Sequence, residues 1–167
     1  RVTPSPTHAY VWDAAPPQVI LAYPGQQSGQ PPQQFDDELR ATVEGRQPDF
    51  RVLAGFLSIL GKPLVQRYTN RIINIHPALV PSFCGKGFYG LKVHAAAIEY
   101  GVKLSGATVH FVDEGTDTGA IIMQQAVEVR PDDTPELLQQ RVLEAEHVLL
   151  PLAVALMAED RIVVKGR

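Results

Sequence analysis

Apolar residues in this chain come in short runs broken by proline, glycine and polar clusters, and the spacing within each run points to the element it forms. Gln18-Val19-Ile20-Leu21-Ala22-Tyr23 reads as a short buried strand bounded by prolines. Pro24 to Gln34 is a Pro/Gly/Gln loop. Phe35, Leu39 and Val43 recur at helical spacing behind acidic residues, so a helix is expected from about Pro32 to Gly45. Phe50 to Phe56 is the next strand, with Gly55 at its exit. A short helix follows from Lys62 to Tyr68, then a strand from Arg71 to His76. A glycine-rich loop, Pro77 to Gly90, leads to a helix from about Leu91 to Tyr100 that Gly101 stops.

The pattern then changes. Lys103 to Val112 reads as a strand, Asp113 to Gly119 as a tight loop, and Ala120 to Val129 as another strand. Strands joined by so short a loop are antiparallel neighbours. Asp133-Thr134-Pro135-Glu136 opens a long helix, with Thr134 as cap and Pro135 at its first position. It runs through Leu150, and Pro151 is expected to kink it or start a second segment. Arg161 to Lys165 reads as a last short strand. The order predicts an α/β domain with a mostly parallel sheet, helices on its faces and an antiparallel hairpin toward the C-terminus. Arg1 to Pro6 shows no strand or helix of its own. The single domain expected over residues 1–167 therefore lacks the first βα unit that usually opens a doubly wound sheet. No internal repeat is present.

With 45% hydrophobic residues, the chain has enough apolar material for a real core, hiding roughly 70% of its unfolded surface. Net charge is −3 and no basic block stands out, which argues against nucleic acid as a partner. The lone cysteine, Cys84, excludes an internal disulfide and fits a reducing cytoplasm. No apolar run approaches the ~20 residues that cross a bilayer, and no signal peptide is visible, so a membrane is not an expected partner. A monomer or homodimer is expected.

The candidate chemistry lies in Asn74-Ile75-His76-Pro77, in His110, and in Asp117 of Glu114-Gly115-Thr116-Asp117-Thr118-Gly119. Polar side chains at the carboxyl ends of neighbouring strands are where open α/β sheets build their sites. Pro77 holds His76 extended at a strand exit. Asn74, two residues earlier, projects to the same face, and that pairing favours function over a histidine that only ties down a loop. Asp117 fits a turn former and a functional carboxylate equally well. His110 fits a supporting or structural role better than direct catalysis. An amide can donate to a developing oxyanion, an imidazole can move a proton near neutral pH, and a carboxylate can orient that imidazole. His94 adds another imidazole, but no His-x-x-x-His, His-Glu-x-x-His or Cys-x-x-Cys spacing supports a metal. Nothing local activates Cys84 as a nucleophile. Glu146-His147 reads as a solvated helix face or a helix contact. Gly55 suggests close approach of a flat ligand to backbone.

From about Asp49 to Arg161 the chain resembles the phosphoribosylglycinamide formyltransferases. The resemblance rests on Leu53-Ala54-Gly55-Phe56, Arg71 to Phe83, Gly106 to Glu114, Asp117-Thr118-Gly119 and Glu146-His147, which agree in order and spacing. It implies a Rossmann-like domain that moves a formyl group from 10-formyltetrahydrofolate to the amine of glycinamide ribonucleotide in purine biosynthesis, with no metal. In that pattern Asn74, His76 and Asp117 are catalytic. Asn74 and His76 stabilise the oxyanion, while Asp117 keeps the imidazole oriented and charged and helps relay the proton. His110 supports the site. Folate contacts are implied for Leu57, Ile59, Leu60, Val112, Asp113 and Glu114, and nucleotide contacts for Pro77 and Glu146.

Three departures from the family pattern stand out. Leu57-Ser58 replaces a more usual Met-Arg. The loop Cys84 to Gly90 is longer than in many members. The Gly-x-Gly-Ser-Asn turn, whose amides bind the substrate phosphate in the family, has no match here. Rival readings are a formyltetrahydrofolate deformylase and a non-catalytic folate-binding module of the same fold.

Overall fold

The computed structural model describes residues 2–4, 10–12, 19–21, 30–45, 48–56 and 58–165. Seven strands form one mixed sheet in chain order: β1 (Val2–Pro4), β2 (Tyr10–Trp12), β3 (Val19–Leu21), β4 (Phe50–Leu53), β5 (Ile72–His76), β6 (Leu104–Phe111) and β7 (Ile121–Glu128). Four helices accompany them: α1 (Pro32–Glu44), α2 (Lys62–Arg67), α3 (Leu91–Tyr100) and α4 (Pro135–Ala158). Strands β3, β4 and β5 are parallel, whereas β1–β2, β2–β3, β5–β6 and β6–β7 are antiparallel.

Alternation along the strands divides the sheet into two faces. Phe50 and Val52 of β4, Ile73 and Ile75 of β5, and Ala107, Val109 and Phe111 of β6 point into one cluster with Leu138, Val142, Ala145, Leu149 and Ala153 of α4. The α4 residues recur at three- and four-residue spacing and form the apolar stripe that packs on the sheet. A second, smaller cluster collects Phe35, Leu39 and Val43 of α1 with Leu64 of α2. Residues 74, 76, 108 and 110 lie on the sheet face opposite the α4 core, and of that row Asn74, His76 and His110 become the floor of the site.

The caps follow the sequence. Gly101 ends α3 in the left-handed region (φ 81°), where a side chain would be strained. The Thr134 hydroxyl accepts from the Leu137 amide at the start of α4, with Pro135 just inside. Pro151 starts no second segment: α4 is one helix from Pro135 to Ala158, with the proline on its exposed side. Two expectations fail. Arg161 to Lys165 joins no ladder among the described residues: Ile162 packs on the core while Val163 stays exposed. Val2–Pro4, by contrast, does form a strand, paired with Tyr10–Trp12. No helix among the described residues is long and apolar enough to cross a membrane.

One ion pair ties α4 to the end of the sheet. Arg141 donates from both Nη atoms to Asp133 (2.9 and 2.6 Å) and from Nη1 to the Glu128 carbonyl (2.6 Å). Asp133 also accepts from the Arg130 amide, and its carboxylate is 2% exposed. The bond from Arg141 is the main cause that holds the Asp133 pKa down at about 2. A depressed folded-state value means that this stabilisation is complete above the unfolded carboxylate pKa, about 4, and is lost as pH falls toward about 2. We expect Arg141→Ala, which strands the buried carboxylate, to cost about 3 kcal/mol in urea unfolding at pH 7, and to cost much less near pH 2.

Candidate active site

The site begins with the register of β5 against β6. Asn74 pairs with His110, and His76 with Thr108, so all four side chains share one face. The expected convergence of two carboxyl-terminal strand exits is not how they meet. Because β6 runs antiparallel to β5, its exit lies beside the start of β5, where the Val112 amide donates to the Ile72 carbonyl (2.9 Å). Lateral pairing brings the imidazoles and the amide together instead. Asp117 reaches them from the loop between β6 and β7.

That loop folds back on itself. The Asp113 carboxylate accepts from the Gly115 amide and the Thr118 hydroxyl. A Cβ on Gly119 would collide with the Phe111 carbonyl, so only glycine lets the chain close here. Asp117 itself sits in the left-handed region (φ 56°), which aspartate tolerates better than most residues. Glu114 tethers the loop to α2, accepting from Gln66 Nε2 (2.7 Å) and pairing with Lys62 (3.4 Å); the Gln66 bond, then Lys62, lowers its pKa.

The Asp117 carboxylate lies between two imidazoles. Oδ2 is 3.6 Å from His76 Nδ1, and Oδ1 is 3.5 Å from His110 Nε2. Oδ2 also accepts from the Gly85 amide at 2.9 Å. Burial works to raise the pKa of Asp117. The bonds from His110 and Gly85, with the two rings, outweigh it and bring the value below the ordinary one. His76 Nε2 is 2.9 Å from the Phe83 carbonyl, which can only accept, so that nitrogen carries a proton and Nδ1 faces Asp117. Burial lowers the His76 pKa, against the Phe83 carbonyl and Asp117, which raise it. Burial thus works against the charged ring that the family pattern implied, and Asp117 works for it. His110 Nδ1 donates to the Phe111 carbonyl (2.8 Å), leaving Nε2 3.3 Å from Asn74 Nδ2. A neutral His110 ring accepts from Asn74; a protonated one donates to Asp117.

These groups line a cavity of about 450 Å³. Ile59, Leu60, Val112, Asp113, Glu114, Pro77 and Glu146 line it too, so every residue that the family resemblance implied for the site takes part except Leu57, which lies outside the described residues. Ile59 is 71% exposed, an apolar side chain at the lip. Gly55 also lines the cavity, and its φ of 63° lies in the left-handed region that favours glycine. Glu146 belongs to the cavity wall and not to a solvated face, whereas His147 is exposed. Burial pushes the Glu146 pKa up to about 7.

Several participants were not assigned to the site from the sequence. Phe83 and Gly85 act through backbone atoms, which no side-chain pattern reveals. Phe88 and Tyr89 of the extended loop form cavity wall, and Phe83 makes edge-on contacts with Phe88 and Tyr100. His94 of α3 is 1% exposed and lines the cavity; burial, then His76, lowers its pKa to about 4. Among the described residues no group of three or more His, Cys, Asp or Glu side chains is arranged to hold a metal ion.

A family profile described as formyl transferase matches residues 7–154. A chloroplastic phosphoribosylglycinamide formyltransferase of Arabidopsis thaliana is 53% identical over 68% of this chain and 39% of its own length. The crystal structure of glycinamide ribonucleotide transformylase 1 from Symbiobacterium toebii superposes with a TM-score of 0.74 at 41% identity, covering 87% of this chain and 63% of that one. A formyltetrahydrofolate deformylase from Pseudomonas syringae superposes with a TM-score of 0.72 at 35% identity, covering 78% of this chain and 42% of that one. The chain spans 39 to 60% of the length of the curated phosphoribosylglycinamide formyltransferases it matches.

The raised pKa of Glu146 has a consequence for stability. Its folded value lies above the ordinary 4.5, so the stabilisation is present at low pH and is lost as pH rises from about 4.5 to about 7. We expect Glu146→Gln to flatten the fall in urea midpoint between pH 5 and pH 8; an unchanged slope would place the titration elsewhere.

Proposed function

The chain belongs to the formyl transferase family, and we propose that it moves a formyl group from 10-formyltetrahydrofolate to the amine of glycinamide ribonucleotide. The observation that carries this reading is the meeting of Asn74, His76 and Asp117 in one cavity whose rim is partly apolar. The reaction has no oxidation or reduction. One C–N bond forms to the attacking amine, one C–N bond to the folate breaks, and one proton passes from the incoming nitrogen to the leaving one. It needs a donor for the formyl oxygen as that oxygen gains negative charge, and a group that can hold a proton between two nitrogens.

Asn74 supplies the donor. One Nδ2 hydrogen faces His110 Nε2, which fixes the amide plane, and the second is free to bond the formyl oxygen. His76 supplies the proton carrier. Its Nε2 hydrogen is shared with the Phe83 carbonyl and can also serve the formyl oxygen. A proton gained at Nδ1 lands beside Asp117, whose lowered pKa keeps the carboxylate charged to receive it. Ile59, Leu60 and Val112 line the cavity with apolar side chains that a flat pterin ring could cover, and this reading assigns the cavity residues Glu146 and Pro77 to the nucleotide.

The test is formyl transfer with two acceptors, glycinamide ribonucleotide and water. Turnover with the nucleotide is expected. Turnover with water alone would favour a deformylase, and folate binding without turnover would favour a binding module. Asn74→Ala should lower kcat by about a hundredfold or more, and His76→Ala by a similar factor with the fold retained by circular dichroism. Asp117→Asn should lower kcat by about tenfold or more while leaving folate affinity nearly unchanged; equal losses in both would assign Asp117 to binding instead.

A further inference from the structure

Between His76 and Gly85 the chain leaves the sheet, yet two of its backbone groups complete the site: the Phe83 carbonyl on His76 and the Gly85 amide on Asp117. The segment therefore has to be held in place, and most of its length is irregular. The holding contacts converge on one point. The Thr108 hydroxyl, fully buried on β6, donates to the Ala78 carbonyl (2.6 Å) and accepts from the Val80 amide (3.1 Å). Gln124, paired with Thr108 across the β6–β7 ladder, donates from Nε2 to that hydroxyl (2.9 Å) and to the Val80 carbonyl (3.0 Å).

This arrangement is saturated. A hydroxyl has one hydrogen and two lone pairs, and all three are used. An amide nitrogen has two hydrogens, and both are used. The orientation of each group is then fixed by the others: because the Val80 amide must donate to Thr108, the hydroxyl hydrogen must go to Ala78, and Gln124 must present nitrogen and not oxygen. Three backbone groups of the loop are thereby satisfied by two side chains. Beyond them the Ser82 amide closes a turn on the Leu79 carbonyl (2.9 Å) and carries the constraint on to Phe83.

We propose that Gln124, acting through Thr108, is a positioning residue that clamps the Ala78–Val80 backbone and so sets the Phe83 carbonyl and the Gly85 amide against His76 and Asp117. Gln124 is exposed and contributes no group to the cavity, so its influence on the reaction runs through the loop alone. The proposal rests on the formyl-transfer reading for its kinetic consequence but not for its structural one.

The test uses Gln124→Met, which keeps length without donors, and Thr108→Val, which keeps shape without the hydroxyl. Thr108→Ser restores the hydroxyl and is the rescue variant. Both disruptive variants should lower kcat by about tenfold or more, with KM for 10-formyltetrahydrofolate and for glycinamide ribonucleotide held within about threefold. Amide exchange followed by NMR, without substrates, should be roughly tenfold faster at Gly85 and unchanged at Ile73 and Val109 in the sheet. Thr108→Ser should behave as the unaltered protein. The proposal is overturned if Gln124→Met keeps kcat and Gly85 exchange at the level of the unaltered protein, or if Thr108→Ser is as impaired as Thr108→Val. If Thr108→Val does not fold, Gln124→Met decides, since Gln124 is exposed. If the unaltered protein transfers no formyl group, the reaction assigned above fails while the exchange data still decide the clamp.

Discussion

Asn74 faces His110 across the β5–β6 ladder, and His76 faces Thr108 one pair further along. Everything in the site hangs on that register. The side-chain period of a strand is two, so a slip of one residue would turn Ile73 and Ile75 into the cavity and drive Asn74 and His76 into the core. Such a slip is blocked from the other face of the sheet. Ile73 and Val109 are completely buried there against α4, and moving them to the polar face would strip them of their apolar partners and set an amide and an imidazole among apolar side chains without hydrogen-bond partners. The hydrophobic core therefore fixes the polar row without touching it.

Two loops finish what the register starts. One brings Asp117 back over the polar row and is pinned through Glu114 to α2. The other runs from Pro77 to Gly90 and is pinned through Thr108 and Gln124 to the sheet. They meet where the Gly85 amide donates to Asp117. In this position the carboxylate has three partners, and that is why its charged form is favoured despite burial. Glu146 stands in the same cavity wall under the sole influence of burial, and its pKa moves the other way. Two carboxyl groups in one cavity are thus separated in acidity by what surrounds them.

Formyl transfer between nitrogens needs little covalent help from a protein. It needs orientation, a donor for the oxygen and a path for one proton. On the reading proposed above, the floor of this cavity would supply the second and third from adjacent positions on two strands. Its rim, from Ile59 to the aromatic residues of the extended loop, supplies surface for orientation. Strands supply the side chains of the floor, and the two pinned loops supply Asp117 and the backbone groups that bond it and His76.

The sequence by itself determined the elements and most of the cavity lining. Periodicity located α1, α2, α3 and the strands from β3 onward to within a few residues, because local spacing is set by local geometry. The motif around Asn74 and His76, with His110, Asp117 and Glu146, marked side chains that meet in one cavity. Where the reading failed, the cause was non-local. The run Arg161 to Lys165 has a strand's pattern but finds no ladder among the described residues. The tertiary structure alone decided that β6 runs against β5, so that the site assembles by lateral pairing and not at shared strand exits. It alone decided that the backbone of Phe83 and Gly85 would complete the hydrogen bonding, and that burial would lower the His76 pKa. Strand direction, backbone contacts and local dielectric all depend on residues far away in the chain, and side-chain spacing carries no record of them.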